Sequence, residues 1–309
     1  MKEQKRSVNS GLRTSKRKRF AAFAIVTVAV VLAAFVLSQT LLRSPEDKFS
    51  FEAAIVDQIG SAPPSDIERA KQFNENATSI LRKAGFNVSY FESQHVTVNF
   101  FKKLATRGWG VIVLRAHSAL REGGGAVDIF TSEEFREDRY DYVAKGSYLW
   151  EPDKVYFAVT AEFVEQIMEG RFPRSIVVAT GCWSLKQECL EMAEAFVNKG
   201  AGAYVGWTDK VGIDHSDAST LELLRHVFAD NKTIAGAVSQ CNSVVPTEGF
   251  NGSLAFYPSD VADWRLNEFA GNNAVSHFLL LGDSAGRRRR KTCVQKVPSR
   301  SLRLLATMV

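Results

Sequence analysis

Residues 176–184 read Ile176-Val177-Val178-Ala179-Thr180-Gly181-Cys182-Trp183-Ser184. Four apolar residues in succession, mostly β-branched, predict a short strand buried on both faces, as inside a parallel sheet. The run ends at Thr180-Gly181-Cys182, where the glycine marks a turn, and an amphipathic helix is expected to follow. In open α/β sheets, ligands and chemistry collect at the carboxyl ends of strands. Cys182 therefore stands where a nucleophile would stand. A cysteine at such a place also serves as a small buried hydrophobe, and this stretch alone leaves both readings open.

A second stretch repeats the design. Val111-Ile112-Val113-Leu114-Arg115-Ala116-His117-Ser118 is again an apolar run, then a polar residue, with His117 at the strand's end. Two neighbouring parallel strands of this kind bring His117 and Cys182 to one rim of the sheet. An imidazole beside a thiol promotes the thiolate, which is the better nucleophile. The other histidines lack a strand-end position. His95 precedes a helix, His215 follows Asp214 in an acidic loop, His226 falls within a helix, and His277 opens the last apolar run.

Outward from these two strands the chain alternates strand and helix. Phe51–Ile59 is the first strand. Ser65 and Glu68 have the spacing of a capping box, opening a helix that runs to about Ala84 and stops at Gly85. Asn87–Glu92 is a second strand, and Val96–Thr106 a helix. Such alternation predicts an α/β domain with a mostly parallel sheet covered on both faces.

Past His117, Gly123-Gly124-Gly125 reads as a turn. Ala126–Thr131 and Lys154–Val159 read as a hairpin or paired edge strands, joined by a charged, Tyr-rich connection. Thr160 caps a short helix closed by Gly170. After Cys182, residues Cys189, Leu190, Ala193, Phe196 and Val197 fall at helical spacing. Ala203–Trp207 is a strand, Ser219–Ala229 a helix, Ile234–Val238 a helix start or connection, and Phe278–Asp283 a final strand.

The 309 residues carry a formal net charge of +5, concentrated at the ends in Lys16–Arg19 and Arg287–Lys291. Basic tails without a basic, aromatic-interleaved face give no reading of nucleic-acid binding. Phe20–Leu42 holds no charged residue and is long enough to span a hydrocarbon core. It exceeds the apolar region of a secretory signal. Basic residues crowd before it, so the positive-inside rule puts the N-terminus in the cytoplasm and the large domain outside the membrane.

The expected organisation is a basic cytoplasmic segment (1–19), a single transmembrane anchor (20–42), a linker (43–50), one catalytic-type domain (51–285) and a basic tail (286–309). Cys189, Cys241 and Cys293 leave an odd partner for any disulfide. No zinc spacing is present, so neither a metal site nor a cofactor is expected, although acidic loops leave calcium open.

The two strand-end blocks, in this order, resemble the caspase-like clan of cysteine peptidases, which includes caspases, legumain, gingipains, clostripain and separase. The resemblance spans roughly Phe51 to Ser284, and Ala195–Trp207 (AFVNKGAGAYVGW) is similar to the stretch after the nucleophile strand in gingipain-like members. It implies a three-layer sandwich and a peptide or protein substrate. Cys182 is then the nucleophile, His117 the proton carrier, and the backbone amides of Ser118 and Cys182 the oxyanion donors. Ser118 stands where caspases have Gly, which a backbone donor tolerates. Clostripain-like enzymes have Asp two residues before the cysteine, and legumain has Glu. Thr180 stands here instead, so no preference for a basic side chain is implied.

Thr180, Trp183, Trp207 and Asp209 are the expected substrate-pocket residues. Asp209, Asp214 and Asp217 either line a pocket for a cationic side chain or are solvated loop carboxylates, and the two tryptophans are either pocket walls or core. An alternative reading is a catalytically inactive binding or sensor module on the same scaffold. A nucleotide-binding domain fits less well, because no G-x-G-x-x-G or Walker-type loop follows the first strand.

Overall fold

The apolar runs that end at Asp57, Arg115, Ala179 and Trp207 form neighbouring strands of one sheet. The computed structural model describes residues 48–61, 64–137, 139–148, 151–243 and 249–271. In chain order the strands are β1 (Glu52–Asp57), β2 (Asn87–Phe91), β3 (Val111–Arg115), β4 (Ser118–Leu120), β5 (Val127–Glu134), β6 (Val143–Tyr148), β7 (Glu151–Val159), β8 (Ile176–Ala179), β9 (Ala203–Trp207) and β10 (Leu254–Tyr257). The helices are α1 (Pro64–Lys83), α2 (Val98–Lys102), α3 (Glu191–Asn198), α4 (Ile213–Leu224), α5 (Ile234–Cys241) and α6 (Leu266–Ala270).

The main sheet is six-stranded, in the order β10-β9-β8-β3-β1-β2. All its neighbours run parallel except β10, which is antiparallel to β9 at the edge. Strand residues alternate between two cores, as the two-residue period of a strand requires. Ala53, Ile55, Val111, Val113, Ile176 and Val178 pack with Phe73 and Leu81 of α1 and Leu223 of α4. Ala54, Val56, Ile112, Leu114, Val177 and Ala179 pack on the other face with Phe101 of α2 and Phe196 of α3. The result is an α/β domain whose mostly parallel sheet is covered on both sides.

A second, four-stranded sheet runs β4-β5-β7-β6, with every neighbour antiparallel. It emerges directly from the carboxyl end of β3, and its Ile129, Phe157 and Val159 extend the second core.

Several expectations need correction. The segment after Cys182 is not a helix until Glu191. Residues 182–190 are diverted onto the end of β9, where the Leu185 N–H donates to the Trp207 carbonyl (2.9 Å). Cys189 thus lies ahead of the helix; it is buried, and its thiol donates to the Gly124 carbonyl (3.4 Å). The Tyr-rich connection contains a strand, β6, which half-burial on one face keeps weakly apolar in sequence. The helix expected from Ser219 begins at Ile213, and Leu254–Tyr257 forms an additional edge strand, β10.

Cys182, Cys189 and Cys241 are all free thiols, while Cys293 lies outside the described residues. Among the described residues no helix is long and apolar enough to cross a membrane. The expected span Phe20–Leu42, both basic tails and the expected final strand Phe278–Asp283 lie outside the described residues.

Candidate active site

The site forms where four parallel strands end side by side. Leu114 of β3 pairs with Ala179 of β8, and the ladder continues one step as the Thr180 N–H donates to the Leu114 carbonyl (3.0 Å). His117 and Cys182 each lie at the same offset beyond that pair. They line one small cavity of about 30 Å³, room for about two water molecules. Its wall also takes Ile59 from beyond β1, Thr180 and Gly181 from beyond β8, and Val211, Ser216 and Asp217 from the β9–α4 turn and α4.

Gly181 makes the approach of the two strand ends possible. A Cβ there would lie 2.5 Å from the Ala116 carbonyl oxygen and 2.8 Å from the Ser118 nitrogen, and would collide with the Ser118 hydroxyl. No residue but glycine fits. With the gap closed, the Ser118 hydroxyl donates to the Cys182 carbonyl (2.6 Å). Two further hydroxyls secure the cysteine turn. Ser184 donates to the Ala179 carbonyl (3.0 Å) and accepts from the Trp207 N–H (2.9 Å). Ser216 donates to the Thr180 carbonyl (2.8 Å) and accepts from the Trp207 indole (3.1 Å).

Trp183, next to the cysteine, has φ 56°, a left-handed conformation that costs energy for a bulky side chain and clusters at functional sites. It is held there by donation from its N–H to the Asp209 carbonyl (3.1 Å) and by Lys210, whose ammonium lies 5.3 Å from its ring centre.

The histidine end is held by charge. Arg115 and Asp57 are register partners on β3 and β1. The Arg115 guanidinium is fully buried, donating to Asp57 (2.7 Å) and, with two nitrogens, to both oxygens of Asp217 (2.9 Å each). Tyr90 donates to the remaining Asp57 oxygen (2.9 Å), and the Phe73 ring lies under the guanidinium at 5.2 Å. Burial of such a group is costly unless its geometry is as complete as this. One step beyond Asp57, the buried Gln58 side chain accepts from the His117 N–H (3.0 Å).

The electrostatics set resting protonation states. Burial, with the Arg115 charge added, pushes the His117 imidazole down to about 4. Burial also pushes the Cys182 thiol up, against the opposing pull of the Val211 amide and Lys210. Near neutral pH both groups are uncharged, so the pair rests as thiol and imidazole, not as the thiolate that adjacency alone suggests. The sulfur is engaged by Val211 on both sides. It donates to the Val211 carbonyl (3.6 Å) and accepts from the Val211 N–H (3.5 Å). Asp217 is raised by burial in spite of its bonds to Arg115.

Of the expected pocket residues, Thr180 lines the cavity with His117 and Cys182. Trp207 is buried to 1% exposure with its indole nitrogen bonded, so it is core. Trp183 and Asp209 brace the turn beside the cavity and are not among its lining residues. Asp214 pairs with Arg69 (3.0 Å) on the surface, and Asp217 lines the cavity but is mostly buried and bonded to Arg115. The structure adds Asp57, Gln58 and Arg115 to the site. Their signal was a charged or amide residue ending each of two adjacent apolar runs, Ile55-Val56-Asp57-Gln58 and Val113-Leu114-Arg115.

Fold and site together define an α/β protein with a cysteine and a histidine on one rim of a mostly parallel sheet. No protein-family model matches the chain, and no curated protein matches it. Among solved structures, it is similar to the Arg-specific cysteine proteinase gingipain R. That likeness has 14% identity and a TM-score of 0.41, covering 64% of this chain and 42% of the proteinase. The chain thus matches less than half of that protein's length, and a likeness of this size leaves the assignment to the chain's own geometry.

Proposed function

We propose that the chain is a cysteine-type endopeptidase with a caspase-like three-layer domain, using Cys182 and His117 as its dyad. The observation that supports this reading is the matched offset of the two residues beyond the paired Leu114 and Ala179, with both facing one cavity. In the proposed reaction the Cys182 sulfur attacks a peptide carbonyl carbon as His117 takes the thiol proton. The C–N bond then breaks, and His117 gives that proton to the leaving amine. Water next attacks the thioester, the C–S bond breaks, and the thiol regains its proton through His117.

The oxyanion is proposed to accept from the backbone amides of Ser118 and Cys182, donors of a kind worth several kcal/mol in acyl transfer. The Phe130 N–H donates to the His117 carbonyl (2.9 Å). In an antiparallel ladder the next residue, Ser118, then turns its own N–H away from β5, toward Gly181. Substrate access displaces Val211 from the sulfur. Phe20–Leu42 is proposed as a single membrane anchor, with the N-terminus cytoplasmic and the peptidase domain outside. The expected partner is a protein or peptide.

The test is hydrolysis of a mixed fluorogenic peptide pool by the full chain in detergent, with Cys182→Ala and His117→Ala as comparators. The reading predicts activity that both substitutions abolish. Equal hydrolysis by all three proteins contradicts it. The second reading, an inactive binding module, is favoured by one observation: the thiol's bonds to Val211 in a cavity of about 30 Å³. It predicts no hydrolysis and no labelling of Cys182 until the protein unfolds.

A further inference from the structure

Gln58 makes three side-chain bonds at the site. It directly follows β1 and is buried to 4% exposure. The His117 backbone N–H can only donate, which assigns the Gln58 amide oxygen to it (3.0 Å). The amide nitrogen is thereby turned to the other side, where it donates to the Tyr148 hydroxyl (2.6 Å) and the Thr131 carbonyl (3.4 Å). Tyr148 in turn packs its ring against the His117 imidazole, with centres 4.9 Å apart. The Gln58 main chain is itself fixed, its carbonyl accepting from Ser93 (2.6 Å) and Ser132 (3.3 Å).

We propose that Gln58 is a positioning residue for His117, its single amide fixing both the histidine backbone and the phenol that walls the imidazole. The inference rests on the reading of His117 as the proton carrier. The chemistry is particular to glutamine. The site needs one acceptor and donors on opposite sides of a planar group, at a reach that asparagine lacks by one methylene. The His117 amide sits where a regular ladder would direct it to β5, and Gln58 diverts it. That diversion sets the angle at which the chain leaves β3, and so where the imidazole stands relative to Cys182.

The decisive experiment follows the His117 imidazole by NMR titration in the full chain, for wild type, Gln58→Met and Gln58→Glu, alongside kcat and KM. The charged and titratable groups around His117 are Arg115 on β3, Asp57 at the end of β1, Tyr148 on β6, Cys182 beyond β8 and Asp217 on α4; all are left intact. Gln58→Met keeps the shape and removes every bond. Its kcat is expected to fall at least about tenfold with KM within about twofold, and its His117 resonances to move. Gln58→Glu keeps the acceptor and adds a carboxylate. Its His117 titration, and the acid limb of kcat/KM, are expected to move upward by about one pH unit or more, with kcat above that of Gln58→Met.

If Gln58→Met does not fold, Tyr148→Phe removes the phenol partner while keeping the ring, and is expected to shift the His117 resonances in the same way. Imidazole titrations that coincide with wild type in the folded variants, with kcat within twofold, overturn the proposal. A wild type without hydrolysis overturns the peptidase reading separately, and the imidazole titrations still decide the role of Gln58.

Discussion

The ends of β3 and β8 carry nearly the same sequence design and are built in opposite ways. Beyond β3, His117 is set by buried charge and a buried amide: Arg115 between Asp57 and Asp217, then Gln58. Beyond β8, Cys182 is set by smallness and hydroxyls: Gly181, with Ser118, Ser184 and Ser216 bonded to backbone carbonyls. The difference fits the roles proposed for a fixed proton carrier and a nucleophile. The histidine end is immobilised by that network, and burial, with the Arg115 charge added, keeps the imidazole neutral near pH 7. The cysteine end relies on weaker, neutral bonds, and Val211 engages its sulfur.

The contrast breaks most severely at Arg115. Arg115→Ala strands two buried carboxylates and is expected to cost about 3–5 kcal/mol, read as a lowered urea midpoint. Asp217→Asn leaves a hydrogen-bonding partner and is expected to cost less. On the cysteine side the largest effect is Gly181→Ala, which forces the strand ends apart and is expected to cost about 1–3 kcal/mol. Its signature is Cys182 labelling that no longer depends on His117. Ser118→Ala removes one neutral bond and is expected to cost about 1 kcal/mol in the same denaturation. A hydroxyl-side loss as large as that of Arg115→Ala would erase the comparison.

An acid-side pH dependence belongs to the histidine end alone. The folded His117 titrates near 4, below its ordinary 6.5, so between these values the unfolded chain binds the extra proton. Stability from the neutral imidazole is complete above about 6.5 and is lost as pH falls through that window. Wild type is therefore expected to lose more stability between pH 7 and pH 4 than His117→Ala, measured by thermal unfolding of both across that range.

The sequence made the parallel sheet legible because its strands are unbroken apolar runs, and it brought His117 and Cys182 to one rim because each follows such a run. It hid the charge network because pairing belongs to register. Asp57 and Arg115 lie 58 residues apart and meet only when β1 and β3 are neighbours, while Asp217 reads in isolation as one more loop carboxylate. For Trp207 the sequence does not separate pocket wall from core, because strand-end aromatics serve either use; its burial follows from Ser216, a partner in the next helix. The cavity's small size and Val211 as the sulfur's partner depend on loop conformation, for which the Thr-Asp-Lys-Val sequence at 208–211 carries no period.

The most direct measurement is the rate at which iodoacetamide alkylates Cys182 in the folded full chain from pH 4 to pH 10, in wild type and His117→Ala, located by peptide mass. The dyad predicts that wild type labels at least about tenfold faster than His117→Ala near neutral pH. It further predicts that this advantage disappears as the imidazole protonates near pH 4. Equal rates in the two proteins across the range, or labelling only after unfolding, would contradict it.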